Sequence, residues 1–232
     1  MQFPATNLDP FGNYLVQKLI SKCSIMQLDA FIWRIRCHVE EIAVNVHGTR
    51  ALQKLIEHAS HCMHAPLLIE MLQHCALRLI QDVNGNHVIQ KCLIRLSPSQ
   101  RQFIFDAMTY FCVPIATHRH GCCVMQRCFD HGSESQRWQL VQIITMHALD
   151  LVHDAYGNYV VQYVLSLQDE RYAVPLFERF LGHLRHLATM KFSSNVIEKV
   201  MPLPLFLLRG PSSHTSTVCR FCALRRAPSS IN

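Results

Sequence analysis

Six pairs of polar side chains in this chain are spaced so that each pair can act on one ligand. The two members are four residues apart, which in a helix places them about 40° apart around the axis and one turn apart along it. The first member is Asn, Thr, Cys or Ser, and the second is Gln in all pairs but the last, which has Glu. We call each pair a fork: Asn13 and Gln17, Thr49 and Gln53, Asn86 and Gln90, Cys122 and Gln126, Asn158 and Gln162, Ser194 and Glu198.

Planar and basic residues accompany the forks. The residue after each first member is Tyr14, Arg50, His87, Cys123, Tyr159 or Asn195. Most of these are aromatic, imidazole or guanidinium groups, which stack on nucleobases. Tyr163 follows the second member of one fork. Cations follow the second members of the other five: Lys18, Lys54, Lys91, Arg127 and Lys199. These cations suit phosphate contacts, and a solvated face or pairing within the helix explains them equally well.

The single Glu indicates what the forks recognise. Repeated Gln side chains alone could tie neighbouring units together by hydrogen bonds. A carboxylate only accepts hydrogen bonds, whereas Gln both donates and accepts. The Watson–Crick edge of guanine presents two adjacent donors, which Glu198 matches and an amide half matches. Base discrimination therefore explains the substitution better than a structural ladder does.

A competing cluster is His118, His120, Cys122 and Cys123, whose residue types suit a metal site or a Cys/His nucleophile. However, the positions of His120 and Cys122 hold unrelated residues elsewhere in the repeating pattern. One CxxC, Cys219 to Cys222, has no second pair to complete a zinc site. We therefore expect no metal, no cofactor and no catalytic residue.

The forks lie in six similar segments, which step by 36, 37, 36, 36 and 36 residues. Such a period predicts an all-α solenoid of about six repeats over residues 1–200, with incomplete first and last repeats. Ser24, Ser97 and Ser133 each precede a Gln by three residues, which predicts capping boxes, with Pro98 in a first helical position. The segments open with Gly, where positive φ or close backbone approach is easiest, except for Ser193 in the sixth. They begin at Gly12, Gly48, Gly85, Gly121, Gly157 and Ser193.

Composition limits the remaining possibilities. No apolar run approaches the roughly 20 residues of a membrane span, and the N-terminus does not resemble a signal peptide. The 11 cysteines are therefore expected to be free thiols in a reducing compartment. A net charge of +6 mildly favours a polyanionic partner. Residues 201–232 are rich in Pro, Ser and Arg, and we interpret them as a disordered, non-repeat tail.

These segments resemble the RNA-contacting helices of the Pumilio/PUF family over residues 8–200. The sequence HRHGCCVMQRC, which begins at His118, is similar to that of plant-type members. The resemblance implies a curved, right-handed solenoid of three-helix repeats that reads one base per repeat. It assigns uracil to the Asn/Gln forks, adenine to Cys122 with Gln126, and guanine to Ser194 with Glu198. Thr49 departs from the usual Cys or Ser, which leaves adenine as a guess. Because such proteins lie antiparallel to RNA, the expected core is 5′-GUAU(A)U-3′.

Further expectations follow from the resemblance. Cys123 replaces a planar stacking residue, and the six segments correspond to the second through seventh of the usual eight repeats. The family binds single-stranded RNA in 3′ untranslated regions and represses translation or promotes mRNA decay through partner proteins. We expect a cytoplasmic, monomeric, non-enzymatic protein. Two alternatives stay open, namely a protein-interaction scaffold of armadillo type and a truncated product with little RNA binding of its own.

Overall fold

A computed structural model describes residues 11–59 and 62–201. Every regular element within these ranges is a helix, so the expected all-α solenoid class is confirmed. The proposed tail, including Cys219 and Cys222, lies outside the described residues except for Met201. The helices are Gly12–Ile20, Ile25–Ile35, Val39–Val44, Gly48–Ala59, Ala65–His74, Ala76–Gln81, Gly85–Arg95, Gln102–Tyr110, Cys112–Ala116, Gly121–His131, Glu134–Met146, Ala148–His153, Gly157–Ser166, Glu170–Phe180, Leu184–Thr189 and Ser193–Val200.

The helices follow a three-part order. A longer first helix is followed by a middle helix of five or six residues and then by the helix that carries the fork, which we call the fork helix. Each fork helix begins at the opening Gly or Ser that the sequence pattern predicts. We number the repeats 1 to 6 by their fork helices, and the described part of repeat 1 holds the fork helix alone.

The chain divides into two compact units, residues 1–140 and 141–232. In the first unit, the fork helices of repeats 1 to 4 pack side by side in chain order. In the second unit, the fork helices of repeats 5 and 6 pack against each other, and each also packs against the middle helix before it. Within each unit, therefore, the forks lie on neighbouring helices.

The apolar positions of the fork helices form the core between repeats. Val88 and Cys92 in repeat 3, and their counterparts in the other later repeats, are fully or nearly fully buried. In repeat 1 the equivalent side chains, Leu15 and Leu19, are 57% and 50% exposed. These positions are exposed in repeat 1, whose described part has neither a first helix, a middle helix nor a preceding repeat, as expected when a fork helix cannot cover its own apolar face.

Close approach explains the opening glycines of repeats 2 to 5, because none of the described glycines has a positive φ. A Cβ added to Gly157 would lie 2.7 Å from the carbonyl oxygen of Leu151 in the middle helix, and one at Gly48 would lie 2.6 Å from the carbonyl of Ile42. In repeat 6 the Ser193 hydroxyl instead donates to the equivalent carbonyl, that of Leu187, at 2.7 Å. A side chain is tolerated there because it bonds the carbonyl oxygen that it approaches.

All three expected capping boxes are present. Ser24 and Gln27 exchange side-chain and backbone hydrogen bonds, as do Ser97 with Gln100 and Ser133 with Gln136. At Ser97 the helix itself begins only at Gln102, so Pro98 precedes it rather than occupying its first position. The first turn there is a separate turn, held by a hydrogen bond from the Arg101 N–H to the Ser97 carbonyl at 3.0 Å.

Candidate nucleic-acid interface

The three Asn/Gln forks are hydrogen-bonded pairs rather than two free prongs. Gln90 Nε2 donates to Asn86 Oδ1 at 2.8 Å, and the same bond measures 2.9 Å at Gln17 and 2.7 Å at Gln162. Asn86 is buried, and its Nδ2 donates to the carbonyls of Asp82 and Val83 at 2.8 and 2.9 Å. The first member therefore orients the half-buried second member. The Oε1 and the second N–H of that Gln take no part in the bond between the two members.

Thr49 orients Gln53 in the same way. Gln53 Nε2 donates to Thr49 Oγ1 at 3.1 Å, and the Thr49 hydroxyl donates to the carbonyl of Asn84 in repeat 3, also at 3.1 Å. Thr49 is buried like the asparagines. The unusual residue at this fork thus links two repeats while it holds its glutamine.

The forks of repeats 4 and 6 are arranged differently. The Cys122 thiol is buried and donates to the carbonyl of Arg119 at 3.4 Å, not to Gln126. Ser194 donates to the carbonyl of Lys191 at 3.3 Å, which leaves the exposed Glu198 carboxylate outside the bond. Glu198 therefore presents two acceptor oxygens at the surface, as the recognition of two adjacent donors requires.

The residues expected to stack on bases are all exposed, whereas the first members beside them are buried in repeats 1 to 5 and half-buried in repeat 6. Tyr14 and Tyr159 expose more than half of their surface. Cys123, which stands at this position in repeat 4, has its sulfur 4.0 Å from that of Cys122. In repeats 1 to 5 the first member is buried, the residue after it is exposed and the second member is half-buried. In most of these repeats the polar side chain of the second member therefore lies beside an exposed planar group.

Three of the five cations that follow the forks are paired with carboxylates. Lys54 and Lys91 contact the two oxygens of Glu57 at 2.9 and 2.6 Å, and Arg127 lies 3.1 Å from Asp130. Lys18 and Lys199 are exposed. The sequence is equally compatible with phosphate contacts and with ion pairs inside the protein. The structure shows carboxylate partners for Lys54, Lys91 and Arg127.

Sequence reasoning missed a set of residues that cap the fork helices. Asp82 Oδ1 accepts the N–H groups of Asn84 and Gly85 at 2.8 and 2.7 Å, and Asp154 and Asn45 make the same two bonds in repeats 5 and 2. Each lies three residues before the opening Gly, which is a recurrence visible in the sequence. In repeat 4 His118 takes this place, and its Nδ1 accepts the His120 N–H at 3.2 Å.

The described residues contain no group of three or more His, Cys, Asp or Glu side chains that could hold a metal ion. Burial raises the pKa of the Cys122 thiol well above its usual range, and the neighbouring Cys123 raises it further. The neutral thiol is a poor nucleophile, because the thiolate is the reactive form. Among the residues that the structure describes, no helix is long and apolar enough to cross a bilayer.

The geometry favours recognition of base edges. The free Oε1 and N–H of each oriented Gln place an acceptor next to a donor, which complements uracil or adenine. Glu198 offers only acceptors, which complements the N1–H and N2–H of guanine. The exposed planar groups beside the forks provide surfaces on which bases can stack.

Comparison with known proteins places the chain among RNA-binding repeat proteins. The model for the Pumilio-family RNA binding repeat matches residues 8–35, 38–61, 75–109, 111–145 and 147–178. A Pumilio domain-containing protein of Schizosaccharomyces pombe is 50% identical over 192 residues, covering 83% of this chain and 28% of the relative. Pumilio homolog 12 of Arabidopsis thaliana is 43% identical over 199 residues, covering 84% and 33%. The expected likeness to plant members is thus present but is not confined to plants.

Solved structures share the fold. The Puf4 RNA binding domain, bound to the HO endonuclease RNA 3′ UTR recognition sequence, has a TM-score of 0.81 and 42% identity, covering 88% of this chain and 67% of that one. The RNA-binding domain of yeast Puf5p, bound to AAT2 RNA, has a TM-score of 0.85 and 34% identity, covering 95% and 65%. The chain therefore spans about a third or less of these two curated relatives and about two thirds of the solved RNA-binding domains.

Proposed function

The chain belongs to the Pumilio family of RNA-binding repeat proteins, and from this premise we propose that it binds single-stranded RNA by base sequence. The observation that carries the proposal is the recurring fork, in which a buried first member orients a half-buried Gln beside an exposed stacking residue. RNA-bound relatives with the same fold support it.

The proposed reading order runs antiparallel to the chain. Repeat 6 takes guanine through Ser194 and Glu198, the Asn/Gln forks of repeats 1, 3 and 5 take uracil, and repeat 4 takes adenine. Repeat 2, with Thr49 and Gln53, is assigned adenine as a guess. The resulting core is 5′-GUAU(A)U-3′. Tyr14, Arg50, His87, Tyr159 and Asn195 are proposed to lie against bases, with a weaker contact at Cys123.

Phosphate contacts are proposed chiefly for Lys18 and Lys199, because their side chains are exposed, whereas the other three cations contact carboxylates. The Puf4 RNA binding domain is bound to an RNA 3′ UTR recognition sequence, which supports a 3′ untranslated region as the target class. We propose that the protein acts by binding rather than catalysis, as a cytoplasmic monomer. Repression of translation or mRNA decay would then require partner proteins.

The test is base competition at the position opposite repeat 6. The substitution Glu198→Gln should weaken binding to RNA carrying G there by about 1–3 kcal/mol, because an amide matches only one of the two donors of guanine. The preference should shift toward A, because a Ser/Gln fork remains. Glu70→Gln, which changes the charge equally on a helix without a fork, is the matched control. Equal losses for G, A, U and C would leave Glu198 a structural role and favour the protein-interaction scaffold.

A further inference from the structure

Glu57 lies between the two lysines that follow the forks of repeats 2 and 3. Its Oε2 is 2.9 Å from Lys54 Nζ on the same helix, and its Oε1 is 2.6 Å from Lys91 Nζ on the next fork helix. Each carboxylate oxygen therefore has its own ammonium partner. The carboxylate side chain is 19% exposed, and those of Lys54 and Lys91 are 34% and 24% exposed.

This triad borders the surface proposed to bind RNA. Lys54 follows Arg50 by four residues, and Lys91 follows His87 by four, so each lysine lies one turn from an exposed stacking residue on the same side of its helix. Cations in such a place would normally attract phosphates whatever the base sequence. The position of Glu57 therefore affects how strongly any RNA strand is attracted.

The Glu57 carboxylate is charged at neutral pH. Hydrogen bonds from Lys91 and then from Lys54 lower the pKa of Glu57 from 4.5 to about 2, against the opposing effect of burial. The triad thus carries one net positive charge instead of two. A phosphate that approaches either ammonium group is therefore also repelled by the Glu57 carboxylate that this ammonium contacts.

We propose that Glu57 restrains the sequence-independent part of RNA binding by keeping Lys54 and Lys91 engaged with its carboxylate, an inference that rests on the proposed function. RNA phosphates must compete with Glu57 for these two ammonium groups. Recognition of bases by the forks then contributes a larger share of the total affinity. Glu57 acts through the lysines and needs no contact with RNA.

The experiment measures the affinity of the full chain for the proposed RNA and for a scrambled RNA of equal length, from 0.05 to 0.5 M salt. Glu57→Gln keeps the side-chain shape and removes the charge. If one phosphate contact is gained, both RNAs should bind about fivefold more tightly at 0.1 M salt. The slope of log K against log salt should steepen by about 0.7, since single strands lose about that much per contact.

Three controls make the outcome decisive. Glu70→Gln makes the same charge change on Ala65–His74, outside the fork helices, and should leave both affinities unchanged. In a Lys54→Met/Lys91→Met background, Glu57→Gln should not steepen the salt slope, because no ammonium remains there to contact a phosphate. The double lysine variant alone should keep the original salt slope, which provides a test even if Glu57→Gln does not fold.

Several results would overturn the inference. These are an unchanged or weaker affinity for Glu57→Gln, an equal gain for Glu70→Gln, or a slope reduced by about 1.4 in the double lysine variant. The last result would show that both lysines already contact phosphate. Failure of the unsubstituted chain to prefer the proposed RNA over the scrambled one would contradict the proposed function instead, while the Glu57 comparison on scrambled RNA would still decide this inference.

Discussion

Replacement of Gly157 by Ala should destabilise the protein without touching any fork residue. The added Cβ would lie 2.7 Å from the Leu151 carbonyl oxygen and 3.1 Å from the Leu151 Cα. Both atoms belong to the backbone of the middle helix, so relief requires that two helices separate. Overpacking of this kind costs about 1–3 kcal/mol, and for a chain of this length about 2 kcal/mol lowers Tm by about 4–8 °C.

Gly182→Ala is the matched control, because a Cβ at Gly182 meets nothing within 4 Å. That variant should keep its Tm or gain a few degrees, since Ala reduces the freedom of the unfolded chain. Gly157→Ser should fall between the two, because a hydroxyl can donate to the Leu151 carbonyl as Ser193 does to that of Leu187. The measurement is thermal unfolding followed by circular dichroism. A Tm for Gly157→Ala within 1 °C of the unsubstituted chain would refute the close-approach explanation.

Three further substitutions test other parts of the account. Asp82→Ala removes the acceptor of two N–H groups at the start of a fork helix and should cost about 1–2 kcal/mol in urea unfolding; an unchanged midpoint would contradict the capping role. Tyr159→Ala should weaken RNA binding by about 1–3 kcal/mol with no change in the preferred base, measured by competition; altered base choice would be inconsistent with stacking. Because the pKa of Glu57 is lowered from 4.5 to about 2, its stabilisation is complete above pH 4.5 and is lost as pH falls toward 2. Acid unfolding of Glu57→Gln should lack this component, and identical acid profiles would contradict it.

The sequence predicted the helices and forks well because their signals are local and repeated. Each fork helix begins at the residue where the repeated segment opens, and all three Ser/Gln capping boxes form. Repetition made these signals reliable, since an accidental match at one site is unlikely to recur at a fixed interval. The fixed interval also predicts one position beside each fork whose residues differ in type, and all six of these residues are exposed.

Other features depend on contacts that spacing alone does not specify. The spacing predicts that both members of a fork can act on one ligand, yet Asn86 donates its side-chain N–H groups to nearby carbonyls and orients Gln90. The bridge from Glu57 to Lys91 joins residues 34 apart and depends on how two fork helices pack. The helix-capping role of Asp82 could have been found, because Asn or Asp recurs three residues before the Gly in three repeats.

The most direct test of sequence-specific binding is a titration of the purified full chain against RNA containing 5′-GUAUAU-3′ and against a scrambled RNA of the same composition, at one fixed salt concentration. We expect the ordered sequence to bind at least tenfold more tightly, since each mismatched base typically costs about 1–3 kcal/mol. Equal affinity for the two RNAs, or no binding to either, would contradict the claim that the forks read bases.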